Sequence, residues 1–298
     1  MDIIVRYSSQ LQLRSDLIPP VLEFFVGTMG IHSNEARVQL RSWYLFERYL
    51  VKVQSHIAAM SDQILVAFTD LLQIRVMPAS LPTNQAPDTD SDTESEHDVF
   101  FDSQLYLFQA AGLLIALMNA TKLDVAEALM RSLIVNINEK TRLAAADQTL
   151  VVNIHHTVMA IGDIAKGYDG AGDGSTMPRE SVGNRLFAPA SQVILEALAN
   201  FEDSSFIRDA VLSQSKLNIM PINCFQTRYA FARLVNVMGE NILGKIPPLI
   251  GGLLRKSTTQ ELIDFLPFLG QLIHKFKVHG RIDQTEKCSR AYAISWMN

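Results

Sequence analysis

Residues 34 to 53, NEARVQLRSWYLFERYLVKV, constrain the fold more than any other stretch. Successive residues of an α-helix are turned by about 100°. At that turn Val38, Trp43, Leu45, Phe46, Tyr49, Leu50 and Val53 share one broad apolar arc. Arg37, Arg41, Arg48 and Lys52 fall within about 60° of each other on a different arc. Ser33 and Asn34 stand where they can cap the first turn, with Gly30 punctuating the chain before them. Such a helix needs a neighbour for its apolar side and leaves a cationic stripe over.

The preceding residues, Asp16 to Met29, carry a second helical stripe through Leu17, Val21, Leu22, Phe24, Phe25 and Met29, with Pro19 and Pro20 tolerable in the first turn. The two helices make a hairpin of about 40 residues, within the ~40–47 of HEAT and armadillo units. Helical spacing recurs over 55–74, 103–119, 122–142, 147–166, 204–217, 246–254 and 260–275. Pro189 is expected to open a short helix to Asn200, and Pro221 to precede a helix running to Asn241. Residues 1–12 read as a short helix or ragged end, and 278–298 lose the stripe. No strand alternation stands out. The expected fold is all-α, a HEAT-repeat α-solenoid of antiparallel helix pairs, with a closed helical bundle as the competing arrangement. Its helical regions are 1–79 and 99–277. Two stretches interrupt them: an acidic, disordered insert at 80–98 and a Gly-rich loop at 167–187.

Charge sharpens this division. The chain is 48% hydrophobic, ample for a large core, and its net charge is -5. Seven acids and no Lys or Arg lie between Asp88 and Asp102, so removing those seven from the net -5 leaves +2 on the remainder. Two cysteines, Cys224 and Cys288, suit a reducing compartment. The N-terminus shows no basic segment followed by an apolar one, and Leu105 to Met118 is short for a bilayer and contains Gln109. The expectation is a soluble intracellular protein with no membrane partner.

Few side chains suggest chemistry. Adjacent His155 and His156 point about 100° apart on a helix and are poorly placed to share a metal. The glycine run 170–175 lacks the Lys beside Ser/Thr that a phosphate loop requires. Thr89, Ser91, Thr93 and Ser95 each precede an acid by three residues, a pattern for an acid-directed kinase. Trp43, Tyr44, Tyr229 and Phe231 could stack on bases, although at helical spacing they read better as core, Tyr44 excepted. No catalytic, cofactor or metal residue is assigned. The stripe is different. Glu47 is the only acid in the interior of the helix, and it has no cation at three- or four-residue spacing. Arg37 with Arg41, and Arg48 with Lys52, are like charges at a repulsive spacing. Guanidinium groups there could fork onto phosphates.

Beyond the stripe, several segments carry a family likeness. They are VRY at 5–7, PPVLEFF at 19–25, EARVQLRSWYLFERYLVKV at 35–53, QLYLFQAAGLLIALM at 104–118, ALMRSLI at 128–134 and ELIDFLPFLGQLIHKFK at 261–277. The chain resembles the exportin-T family of the importin-β (karyopherin) superfamily. The resemblance implies an internal section of a longer solenoid. It would lack the N-terminal repeats that make the principal RanGTP contacts and the C-terminal repeats that help enclose tRNA. It implies a non-enzymatic nuclear export receptor, shuttling between nucleus and cytoplasm, that binds tRNA cooperatively with Ran in its GTP form and meets nuclear pore components, as a monomer. The other reading is a HEAT scaffold or importin-like carrier of protein cargo. From the helical wheel alone, the expected tRNA-facing residues are Arg37, Arg41, Tyr44, Arg48 and Lys52.

Overall fold

A computed structural model describes residues 1–74, 76, 96–119, 122–143, 148–171, 179–201, 207, 230–254 and 259–278. The helices are α1 (Asp2–Arg6), α2 (Ser8–Leu11), α3 (Ile18–Val26), α4 (Ala36–Ile57), α5 (Ser61–Val66), α6 (Glu96–Leu117), α7 (Asp124–Leu143), α8 (Gln148–Asp169), α9 (Arg179–Asn200), α10 (Ala230–Met238), α11 (Ile246–Leu254) and α12 (Thr259–Val278). Among the described residues there is no strand. The all-α expectation holds, and the helices stack in two layers as a HEAT-type solenoid requires.

One layer is α4, α6, α8 and α10 in chain order, with α1 and α2 before it and α12 after it. Its helices run side by side in the same direction. Phe101 stacks on His156 and Gln109 meets Asp163 further along, so α6 and α8 are parallel. Gly162 faces Ala230 and Asp169 meets Asn236, so α8 and α10 are parallel too. At the other edge, Ser42 donates to Met1 and Gln12 to the Lys52 carbonyl, which sets α1 and α2 along α4. The second layer includes α3, α5, α7, α9 and α11, each next in sequence to a helix of the first layer. Arg185 of α9 pairs with Glu127 of α7, and Lys245 just before α11 donates to Gln192 of α9.

The core lies between the layers. Phe25 of α3 stacks on Tyr49 at 5.2 Å and meets Phe46 at 6.1 Å. Phe46 meets Phe68 edge-on at 5.5 Å, and the Trp43 indole donates to the Ile31 carbonyl at 3.0 Å. A buried indole N–H needs such a partner, which ties the α3–α4 turn to the core. Helix α6 is apolar over Phe100–Leu117, with 78% of that stretch buried, because it has neighbours on three sides. Gly112 and Gly167 permit this. A Cβ at Gly112 would lie 1.9 Å from the Ile164 carbonyl oxygen, and one at Gly167 would lie 1.9 Å from that of Gln109.

Several boundaries differ from the sequence expectation. Helix α4 runs on to Ile57, past the expected 53. Neither Ser33 nor Asn34 caps it: the Ser33 hydroxyl accepts from the Glu35 N–H at 3.3 Å, before the first turn. The expected helix 55–74 is broken into the end of α4, α5 and two 3₁₀ turns, 58–60 and 69–72. Ser61 and Thr69 bond the carbonyls of Ala58 and Leu65, at both breaks. Of the acidic insert 80–98, residues 80–95 lie outside the described residues, whereas Glu96–Asp98 begin α6. Both ends of the expected Gly-rich loop 167–187 are helical, since α8 continues through Gly167 to Asp169 and α9 already starts at Arg179 with Pro189 in its interior; residues 172–178 lie outside the described residues. Gly167 is a contact glycine rather than a turn glycine. Helix α10 ends at Met238, because Gly239 takes φ +56, short of the expected Asn241. The expected helix 204–217, apart from Ile207, and residues 279–298 lie outside the described residues.

Candidate nucleic-acid interface

Helix α4 buries Ser42, Trp43, Leu45, Phe46, Tyr49, Leu50, Val53 and Ile57. Phe46 and Tyr49 point at α3, so that side faces the second layer. Arg37, Arg41, Arg48 and Lys52 are exposed, on the opposite side of the helix. The stripe therefore stands on the solvent side of the α4–α6–α8–α10 layer. From Arg37 to Lys52 it extends about 22 Å along the axis at 1.5 Å per residue.

The five expected contact residues are not equivalent. The Arg41 guanidinium donates to the Asp2 carboxylate of α1 at 2.6 Å and lies over the Tyr44 ring, 5.2 Å from its centroid. The Arg41 guanidinium holds the Asp2 carboxyl below its ordinary range, yet both side chains remain more than half exposed. A pair so open to water contributes little to stability and can be exchanged for another anion. Tyr44 is half-buried and meets Tyr106 of α6 edge-on at 5.1 Å. Its ring already carries a guanidinium, so it orients Arg41 rather than offering a bare face to a base. Lys52 sits where Gln12 of α2 joins α4.

Glu47, half-buried on the α6 side of the helix, has its carboxyl pushed up by burial, while the charges of Arg48 and Lys166 pull it down. Lys166 belongs to α8, with α6 in between. The charge of Lys166 on α8 thus reaches Glu47 on α4 across α6.

The other candidate stacking residues are less accessible. Trp43 and Phe231 are buried, and Tyr229 lies outside the described residues. The rings of His155 and His156 are 5.5 Å apart at 60°. His156 is stacked on Phe101 at 3.7 Å, and burial pushes it down to about 3, so it is a neutral core group. Among the described residues no group of three or more His, Cys, Asp or Glu is placed to hold a metal ion. Cys224, Cys288 and the Ser/Thr positions of the acidic insert lie outside the described residues.

The stripe reading singled out one helix and missed Lys166. Its only trace in the sequence is a lone cation near a glycine, and the neighbour that gives it meaning is over a hundred residues away.

Comparison with known proteins places this geometry in a family. A family model described as Exportin-T matches residues 1–283. The Exportin-T of Phaeosphaeria nodorum is 35% identical over 287 residues, covering 93% of this chain and 26% of that protein. That of Podospora anserina is 34% identical over 290 residues, with the same coverage, 93% and 26%. That of Laccaria bicolor is 32% identical over 284 residues, covering 91% of this chain and 24% of its own length. The chain spans about a quarter of the length of the curated relatives it matches. A match over nearly the whole chain, on a two-layered helical stack, has one meaning: the chain belongs to the Exportin-T family.

Proposed function

We propose that this chain is a section of a nuclear export receptor that binds tRNA cooperatively with RanGTP and carries it to the cytoplasm. The observation that carries the reading is the row of four exposed cations on the side of α4 facing away from the second layer. A folded RNA presents phosphates and 2′-hydroxyls, and is recognised by shape and backbone. Such a ligand asks for charge at fixed spacing on a rigid element, which α4 supplies. The Arg41 fork, braced by Tyr44 and holding a carboxylate, is already in the geometry a phosphate oxygen would use. In this mechanism RNA and RanGTP each favour the same curvature of the solenoid, so each raises the affinity for the other. GTP hydrolysis on Ran then releases both, and the receptor itself performs no chemistry.

A carrier of protein cargo would instead show an apolar patch along this face. Among the described residues, the exposed large hydrophobics of α4, α6, α8 and α10 are Val38, Val51 and Phe100, each only 36–39% exposed, whereas those more than half exposed lie on α1, α5, α7 and α12 and in the turns at Tyr7, Leu13 and Met29. That distribution favours RNA.

The test is charge reversal. Arg41→Glu with Arg48→Glu should weaken tRNA binding by at least tenfold in a filter-binding or anisotropy titration, with helicity by circular dichroism unchanged. Equal affinity in the variant and the parent chain would overturn the reading.

A further inference from the structure

The cations of α4 have counterparts on the next helices of the same layer. On α8, Thr157 and Tyr168 point to the second layer, against Asn136 of α7 and Phe187 of α9. Asp163, Ile164 and Gly167 face α6, and Gly162 and Asp169 face α10. At 100° per residue, Lys166 is left on the side opposite Thr157 and Tyr168. It therefore projects from the same solvent face as the α4 stripe, and its charge is felt at Glu47.

The register carries the row further. A Cβ at Gly162 would meet the Ala230 Cα at 2.8 Å, so these positions are level and the two backbones nearly touch. Lys166 is four residues beyond Gly162 and Arg233 three beyond Ala230, which makes them neighbours across the α8–α10 seam. On α10, Ala230, Phe231, Leu234, Val235, Val237 and Met238 are buried, which leaves the half-buried Ala232 and Arg233 and the exposed Asn236 on the remaining arc, where Lys275 of α12 donates to the Asn236 amide oxygen at 3.0 Å. Neighbouring helices at about 8–10 Å put α4 and α10 about 25–30 Å apart. Lys166 and Arg233 lie across that width, at right angles to the stripe.

We propose that Lys166 of α8 and Arg233 of α10 extend the anion-binding surface of α4, so that a structured RNA lies across the helices of this layer, its phosphates over Arg48, Lys166 and Arg233. This inference rests on the tRNA-binding reading and names the further residues and the direction of the backbone. Acids stand beside these cations as well, Asp2 on Arg41 among them. Glu47 stands between Arg48 and Lys166, and Asp169 accepts from Asn236 at 3.2 Å. The charge of Glu47 acts on the same cations as an incoming phosphate and opposes its binding.

The experiment titrates an unmodified tRNA transcript into the full 298-residue chain at several salt concentrations. Lys166→Ala and Arg233→Ala each weaken binding several-fold and lower the salt slope by about one phosphate contact. Lys166→Arg keeps both values, and Glu47→Gln tightens binding. If both alanine variants keep parental affinity and slope while Arg48→Ala loses binding, the row across the helices is wrong and the α4 reading stands. If Arg48→Ala is also without effect, the α4 reading falls with it.

Discussion

His156 shows what burial does to a single titratable group in this core. Its ring lies flat on Phe101 at 3.7 Å, its Nδ1 has no hydrogen-bond partner, and burial, with a smaller contribution from His155, lowers it from 6.5 to about 3. The folded state therefore resists protonation that the unfolded chain accepts. Between pH 6.5 and 3 the unfolded state holds more protons, so stability falls as the pH drops through that window, by at most about 1.4 kcal/mol per unit. His156→Phe should flatten that acid-side loss in denaturant melts at pH 7, 6 and 5. A parallel loss in the variant would assign the effect to other groups. The residue scale is also where the sequence was least informative. Arg41 reads from the sequence as an unpaired cation, and the carboxylate that meets it is on Asp2, 39 positions away. No local spacing announces that pair.

At the scale of the element, periodicity was a good guide to the existence of helices and a poor one to their ends. Helix α11 runs over Ile246–Leu254, as its apolar spacing predicts, and α4 differs only at its ends. Misjudged boundaries cluster where glycine or proline was read as punctuation. Pro189 lies inside α9, and Gly167 lies inside α8 because α6 passes against it. Helix propensity alone says that Gly→Ala in a helix is stabilising by up to about 1 kcal/mol. Two substitutions separate that effect from contact. Gly270→Ala in α12, where an added Cβ meets nothing within 4 Å, should raise the thermal midpoint slightly. Gly167→Ala, whose Cβ would fall 1.9 Å from the Gln109 carbonyl oxygen, should instead cost about 1–3 kcal/mol as α6 and α8 are forced apart. A raised midpoint for Gly167→Ala as well would mean that the two helices are not in backbone contact.

At the scale of the whole molecule, the two layers give the stripe its meaning. A single amphipathic helix has a polar side in any fold. In this one, that side belongs to a layer of parallel helices whose other members bring Lys166 and Arg233 to the same face. The sequence could show that α4 has a cationic side. It could not show the register of α6, α8 and α10, which depends on contacts between residues tens of positions apart, such as Gln109 with Asp163 and Gly162 with Ala230. The proposed RNA-facing layer can be tested directly by lysine acetylation footprinting with and without tRNA. If the proposal holds, tRNA shields Lys52 and Lys166, on α4 and α8, while Lys140 of α7 and Lys245 before α11 keep their reactivity. Shielding of Lys140 and Lys245, with Lys52 and Lys166 unchanged, would put the RNA on the other layer and contradict it.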